Sequence, residues 1–286
     1  MLKWLIKLIN LLFYSNLWIA LAALAMTMQT QLLLLRKVIY TPYLPFLFFG
    51  SLFLYALHRI VGLEKAKPFL KTGRYGVITA FKRHIQLYAA IAALASSYFF
   101  FSLPLRIQLS LILPALLSLG YVIPILSGKK RLRDIHFIKV FLIAFVWSWL
   151  TVFMPAYVLG LEQHLSTMLI FLERTCFIFA ISIPFDIRDL EIDDFNQVKT
   201  IPGRYGIKKS KAIALVALAM ALFFVWLNFK VDGIGLPTLL AWGLGALGAG
   251  LLICYSTPNR HDYYYTGLLD GSMIFQAMAI YFASQF

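Results

Sequence analysis

The chain has few charged residues. Asp, Glu, Lys and Arg make up 13% of its 286 residues, whereas soluble domains carry about 25%. Hydrophobic residues make up 61% of the chain, and the mean hydropathy is +0.81. This composition excludes a soluble domain and predicts an integral membrane protein. The apolar runs are about 20 residues long, which favours membrane-spanning helices over the short alternating strands of a barrel.

Cysteines and metal-ligand patterns are also scarce. The two cysteines, Cys176 and Cys254, lie inside apolar segments and therefore give no information about disulfides. The five histidines have no partners at metal-ligand spacing, so the sequence predicts no zinc site.

Nine apolar segments predict an all-α integral membrane protein with nine transmembrane helices and termini on opposite sides of the membrane. Most of the 26 Lys and Arg residues fall on the N-terminal side, so we expect a cytoplasmic N-terminus in a bacterial cytoplasmic (inner) membrane. The net charge of +14 then reflects topology and contacts with the lipid bilayer, and we expect no nucleic-acid partner. The Lys and Arg residues on the other side are Arg36, Lys37, Arg106, Arg174 and Lys230. The predicted spans are 8–29, 39–57, 85–103, 106–126, 139–159, 166–185, 211–228, 236–255 and 264–284.

Two loops on the predicted cytoplasmic side resemble each other. The segment Lys71–Val77 (KTGRYGV) is echoed by Lys199–Ile207 (KTIPGRYGI), and each lies between two apolar segments. An internal repeat of this kind predicts two related halves around a central cavity. The repeat would also permit a transporter, but the polar residues gather at one membrane face and not at the midplane, which argues against transport.

The densest acidic cluster follows the apolar segment that ends at Pro184. If the segment is helical, Asp186, Asp189 and Asp193 lie within an arc of roughly 60° over about 10 Å of axis. Three carboxylates on one face repel each other unless a cation lies among them, and hard oxygen ligands suit Mg²⁺. Glu191 and Asp194 would point elsewhere. The alternative interpretation is a solvated acidic loop.

The acidic stretch resembles the second aspartate-rich motif of the UbiA superfamily of intramembrane prenyltransferases. The match comprises Asp186-x-x-Asp189-x-x-x-Asp193 and the following segment Lys199–Pro202, with Gln197 in place of the usual glycine.

The resemblance extends to other parts of the chain. Tyr121, the basic loop containing Lys130, and Lys139 are similar to the middle section of the family, and we take these three residues as substrate-binding candidates. We therefore expect a single UbiA-like prenyltransferase membrane domain over residues 1–286.

The resemblance implies a mechanism. Aspartate-rich motifs would hold Mg²⁺ against the diphosphate of a prenyl diphosphate, with Asp186, Asp189 and Asp193 as catalytic residues and metal ligands. Loss of the diphosphate generates an allylic carbocation, which a lipophilic acceptor attacks in a dry chamber.

The first aspartate-rich motif is missing. Where the family has an Asn and two Asp, the segment 58–67 carries Glu64 as its one acidic residue. Two symmetric carboxylate sets are therefore excluded. Either the second motif keeps one Mg²⁺ while cationic residues bind the diphosphate, or the protein is a non-catalytic relative that binds an isoprenoid or lipid. The candidate diphosphate ligands are His58, Arg59, Lys65, Lys67, Lys199 and Arg204.

Polar and aromatic residues at membrane depth complete the set of candidates. Asp270 lies about six residues into the last predicted span, and it either orients the acceptor or pairs with a Lys or Arg of a neighbouring helix. Glu173 and Arg174 are interpreted as structural or interfacial. Residues of the fifth span either line an isoprenoid chamber or pack between helices. They are Trp147, Trp149, Phe153 and Met154.

Overall fold

The computed structural model describes residues 9–65, 73–128, 130–232 and 234–285, excluding the side chains of residues 64, 65, 73, 74 and 232. The described chain is helical, and its strand pairing is limited to one isolated bridge between Leu126 and Lys130. The helices are α1 (Leu17–Leu35), α2 (Tyr43–Lys65), α3 (Gly73–Ala80), α4 (Lys82–Phe101), α5 (Leu105–Ser110), α6 (Ile112–Val122), α7 (Ile138–Ser148), α8 (Met154–Leu159), α9 (Leu165–Arg188), α10 (Leu190–Phe195), α11 (Ile201–Asp232), α12 (Leu236–Tyr255) and α13 (Asp270–Ala283).

The predicted all-α membrane architecture is confirmed. Within the described residues, eight helical segments are long and apolar enough to cross a membrane. The predicted ninth span is also helical, because a π-helical turn at Tyr264–Leu269 runs directly into α13. A second π-helical turn, Trp149–Phe153, joins α7 to α8. Such turns change the phase of a helix and often lie near functional sites.

The first membrane helix lies further along the chain than predicted. The sequence predicts a span at 8–29, whereas α1 runs from Leu17 to Leu35. Asn16 adopts a left-handed conformation with φ of 67° and separates α1 from the helical residues before it. Asparagine tolerates this conformation better than most residues, so a single polar residue shifts the beginning of the helix.

The acidic stretch is helical but interrupted. The helix α9 ends at Arg188, Asp189 has φ −92° and ψ 6°, and α10 begins at Leu190. The hydrogen-bond ladder nevertheless continues, because the Asp193 amide donates to the Asp189 carbonyl at 2.8 Å. The interruption turns Asp189 without moving Asp186 and Asp193 off their common side.

The segment after α10 approaches the membrane through a kink. Gly206, with φ 77° and ψ 163°, separates the first turn of α11 from its long apolar part. This φ favours glycine, since a side chain would be strained there. The two most extensive helix pairs are α9 with α11 and α2 with α4. Each pair flanks one of the two similar loops, which is the arrangement that an internal repeat predicts.

The interior of the bundle contains a buried arginine, as the interpretation of Arg174 as structural predicts. Its side chain is fully buried and donates to the Met26 carbonyl at 3.1 Å and to Thr151 Oγ1 at 3.0 Å. The neighbouring Glu173 is also buried, with one carboxylate oxygen 3.9 Å from Arg174 Nε. These contacts connect α1, α9 and the π-helical turn 149–153.

We predict that Arg174→Leu destabilises the protein by about 3–5 kcal/mol, because it leaves the buried Glu173 without its cation. Thermal unfolding in detergent measures this effect, and Lys37→Leu, at an exposed position after α1, is the matched control. Equal unfolding temperatures for the two variants would contradict a structural role for Arg174.

Candidate functional site

A cavity of about 300 Å³ opens where three membrane helices reach the same end of the bundle. The last turns of α2 and α9 and the first turns of α7 line it, together with the segment 131–134. Along each helix the lining changes from charged to apolar with depth. The helix α7 contributes Lys139 and then Leu142, Val146 and Trp147. The cavity is thus polar at one end and apolar further in.

Two of the three predicted acids share one cation at the polar end. The ammonium Nζ of Lys139 lies 2.7 Å from Asp186 Oδ1 and 3.1 Å from Asp193 Oδ2. All three side chains are at least nine-tenths buried. The seven-residue spacing brings both carboxylates to one face, as predicted, and the cation between them is a lysine ammonium.

The third acid pairs elsewhere. Asp189 Oδ1 accepts a hydrogen bond from Arg188 Nε at 2.8 Å, and the same guanidinium donates through Nη1 to Asp262 at 2.9 Å. Arg188 therefore links the end of α9 to the segment before the last predicted span. As predicted, Glu191 and Asp194 point away from this cluster and are exposed.

These carboxylates, as arranged, do not fit a magnesium ion. Mg²⁺ requires oxygens at about 2.0–2.1 Å in octahedral geometry. Instead, Asp186 and Asp193 converge on Lys139, and Asp189 faces Arg188. Over the described residues, no group of three or more Asp, Glu, His or Cys side chains converges as metal ligands would. The expectation that the three aspartates together hold Mg²⁺ is therefore not met by this geometry.

Arg133 is a cavity cation that has no acidic partner among the described residues. Its guanidinium contacts His58 Nε2 and lies 5.1 Å from the centroid of the Tyr121 ring. Among the described residues, no carboxylate lies within ion-pair distance of it. Burial alone would lower the pKa of Arg133, but Tyr121 and the more distant carboxylates raise it above its ordinary value. A positive charge with neutral neighbours in a half-enclosed cavity favours an anionic ligand.

The neighbouring cations are held in place by the protein. Arg131 Nη2 lies 2.9 Å from Asp134 Oδ1, and the Asp134 carboxylate also accepts the Arg131 backbone amide. Burial raises the pKa of Asp134, but these hydrogen bonds and the Arg131 charge bring it below its ordinary value. Arg59 donates to Asn16 and to the Phe13 carbonyl. These contacts orient both guanidiniums along the cavity wall.

Asp270 lines the deeper part of the cavity. Within the described part of the chain its carboxylate makes neither an ion pair nor a hydrogen bond, so the predicted pairing with a Lys or Arg is not observed. Tyr55 and Trp147 line the same cavity, and the Trp147 indole donates to the Tyr55 hydroxyl at 3.1 Å. An intramembrane carboxylate that faces a cavity is normally functional.

The structure brings together only part of the predicted site. His58, Arg59, Tyr121, Lys139 and Asp270 line the cavity with the three acids. Three predicted ligands are exposed and do not line it. These are Lys130, Lys199 and Arg204. Lys130 and Lys199 lie between helices and Arg204 lies in the first turn of α11, away from the cavity lining, so we leave them out of the site. Lys67 and the Lys65 side chain lie outside the described residues.

Four cavity residues escaped the sequence analysis. Arg131 and Arg133 look like topology signals, because a basic loop is expected on the cytoplasmic side of any membrane protein. Arg188 and Asp262 lie 74 residues apart and give no local signal of their pairing. The available hint was the i, i+3 spacing of Arg131 and Asp134, which forms a capping box around the short 3₁₀ helix 132–134.

The aromatic residues of the fifth span divide into two groups. Trp147 lines the cavity, as predicted for a chamber residue. Trp149 and Phe153 instead pack against each other at a tilt of 43°, with ring centroids 4.6 Å apart. Both rings also pack against the apolar cluster in which Met154 is fully buried. For these three residues ordinary helix packing is the correct interpretation.

The architecture and cavity define a membrane-embedded helical bundle with an amphiphilic chamber. Solved structures share this architecture across nearly the whole chain. A UbiA homolog from Archaeoglobus fulgidus, bound to GPP and Mg²⁺, is 15% identical with a TM-score of 0.63, covering 94% of this chain and 99% of that chain. A structure described for digeranylgeranylglyceryl phosphate synthase is 15% identical with a TM-score of 0.61, covering 97% and 98%. An apo UbiA homolog from Aeropyrum pernix K1 is 14% identical with a TM-score of 0.58, covering 96% and 94%.

These likenesses show that the chain has the fold of the UbiA superfamily. No protein-family model matches the sequence. No curated protein matches it either.

We predict that the ion pairs of Arg188 couple α9 to the last predicted span. In a double-mutant cycle, Arg188→Met and Asp262→Asn should show a coupling free energy of about 1 kcal/mol or more, because each removes the same partly buried contact. Chemical or thermal unfolding in detergent measures the coupling, with Lys209→Met as an exposed control. Strictly additive effects would contradict a direct interaction.

Proposed function

We propose that this protein is an intramembrane prenyltransferase, which moves an isoprenoid group from a prenyl diphosphate to a lipophilic acceptor. The observation that carries the proposal is the graded cavity: a cationic end with Arg133 exposed to the ligand space, continuous with an apolar interior. A prenyl diphosphate has the matching polarity, with an anionic head and an apolar tail. The fold, shared with UbiA homologs whose structures contain GPP or DMAPP, supports the same proposal.

The diphosphate would be bound by the guanidiniums of the polar end. Arg133 is the first candidate, since its present neighbours are a histidine and a phenol ring. Arg131 and Arg59 border the same space. Guanidinium groups bind phosphate oxygens through paired, charge-assisted hydrogen bonds, which are stronger than neutral ones.

The isoprenoid tail would extend along the apolar wall. Leu54, Val146, Ile178 and Met273 line this part, and Trp147 presents an aromatic ring. Such a wall excludes water from an allylic cation, and an aromatic face stabilises positive charge.

The reaction balances with the substrate, the acceptor and the side chains that line the cavity. The bond between the allylic carbon and the diphosphate oxygen breaks, and its electron pair leaves with the diphosphate, where cationic side chains stabilise the growing charge. The acceptor donates an electron pair to the allylic carbon and releases a proton. Asp270, which lines the deeper cavity and has no ion-pair partner among the described residues, would orient the acceptor and take that proton.

The A. fulgidus homolog structures also contain Mg²⁺. When bound, such an ion would stabilise charge on the leaving diphosphate. The acid cluster of this chain does not offer a magnesium site as arranged, so no step of the proposed reaction is routed through a metal. We further propose that the polar end of the cavity faces the cytoplasm, following the Lys and Arg distribution.

A second candidate function is that of a non-catalytic relative that binds an isoprenoid or lipid. The observation in its favour is the position of Lys139, whose ammonium already pairs with the two carboxylates that resemble the catalytic motif. Turnover separates the two functions.

The proposed function predicts that the purified protein releases pyrophosphate from a prenyl diphosphate when a total membrane-lipid extract supplies the acceptor. Arg133→Gln should lower kcat/KM by about tenfold or more, because a charge-assisted contact to the leaving group is lost. Arg83→Gln, at an exposed position, is the matched control. No turnover with any prenyl chain length, together with unchanged ligand binding in Arg133→Gln, would refute the proposal.

For Asp270→Asn we expect kcat to fall by about 10²-fold while the affinity for the prenyl diphosphate stays the same, because the amide keeps the shape of the carboxylate but accepts no proton. Single-turnover assays and equilibrium binding separate the two effects. Asp194→Asn, which alters an exposed acid, should behave like the wild type. A weakened affinity with unchanged kcat would contradict the assignment of Asp270 to the acceptor.

A further inference from the structure

We propose that Lys139 is the resident cation of the acid cluster, and that the site binds the diphosphate of its substrate without a divalent metal. This inference rests on the proposed function, since it specifies how the same cavity holds the same substrate.

The first support is the geometry around the ammonium. Lys139 Nζ contacts both Asp186 and Asp193, at 2.7 and 3.1 Å, inside the protein. A Mg²⁺ bound to both carboxylates would lie about 2 Å from their oxygens, and therefore within a few ångströms of the ammonium. Two cations that close repel each other strongly in a poorly solvated site, so one must leave.

The second support is the position of Lys139 in the fold. Lys139 is the second residue of α7, and 5% of its surface is exposed. It therefore belongs to a packed helix terminus, unlike the exposed lysines of the loops. A lysine that left the acid pair would carry its charge along a buried wall, which is costly without another partner.

The third support is the distribution of charge on the remaining wall. Among the described side chains, the last turns of α2 contribute His58, Arg59 and Gly62 to the cavity lining, and none of these three is a carboxylate. Lys139 and Arg188 pair with Asp186, Asp193 and Asp189, and Arg133 forms no ion pair with these three acids. The site thus separates its acids, which pair with Lys139 and Arg188, from a guanidinium that is available to a diphosphate.

The test is equilibrium binding of geranyl diphosphate to the purified full-length protein, with EDTA or with millimolar Mg²⁺. We expect wild-type affinities that differ by less than about threefold between the two conditions. The variant Lys139→Met removes the ammonium but keeps the length of the side chain, so it leaves the carboxylate pair without a cation. For this variant we expect Mg²⁺ to strengthen binding by about tenfold or more.

The matched control is Lys209→Met, at an exposed position of α11. Its affinities for geranyl diphosphate under the two conditions should match those of the wild type.

A second readout is independent of substrate. Electron paramagnetic resonance with Mn²⁺ alone should detect no bound ion at the wild-type acid cluster and one bound ion in Lys139→Met. The wild-type measurements need no variant, so they decide the matter even if Lys139→Met does not fold.

The outcomes separate the two proposals. Wild-type binding of geranyl diphosphate only in the presence of Mg²⁺ would overturn the metal-free site but keep the proposed function. No binding under either condition would remove the proposed function itself. Equal binding in both conditions, with a metal requirement created by Lys139→Met, supports both.

Discussion

The structure depends on one ammonium shared by two carboxylates. Lys139 joins the beginning of α7 to the end of α9 and to α10, and it does so inside the polar mouth of the cavity. Without a cation between them, Asp186 and Asp193 would be two buried like charges in contact, which a folded protein does not tolerate unless one is protonated. The ion pair therefore fixes both the fold of the acidic stretch and the electrostatic character of the mouth.

The graded cavity follows from the direction of the helices around it. The helices α2 and α9 end at the polar mouth, whereas α7 begins there, so the residues near these termini are charged and those two or three turns away are apolar. A membrane protein concentrates charge at helix ends because charge is costly in the hydrocarbon core. The cavity is therefore charged at its mouth and apolar further in. A ligand with an anionic head and an apolar tail fits it with the head at the mouth.

The fold and part of the site could be predicted from the sequence. The acid pair and its lysine show where the prediction succeeds and where it fails. The common face of Asp186 and Asp193 follows from helical periodicity, which is a local property. The partner of these acids does not, because Lys139 lies 54 residues from Asp193 and sequence spacing carries no information about that contact. Arg133 could not be predicted for a different reason. Basic residues in a loop of a membrane protein indicate topology, and the sequence does not say which of their guanidiniums faces a cavity.

The most direct test of the shared ammonium is an experimental structure determined in the presence of geranyl diphosphate and Mn²⁺. Our account predicts Lys139 Nζ between Asp186 and Asp193, the diphosphate against Arg133, and no anomalous scattering at the acid cluster. A manganese peak that bridges Asp186 and Asp193, with Lys139 displaced from both, would contradict it.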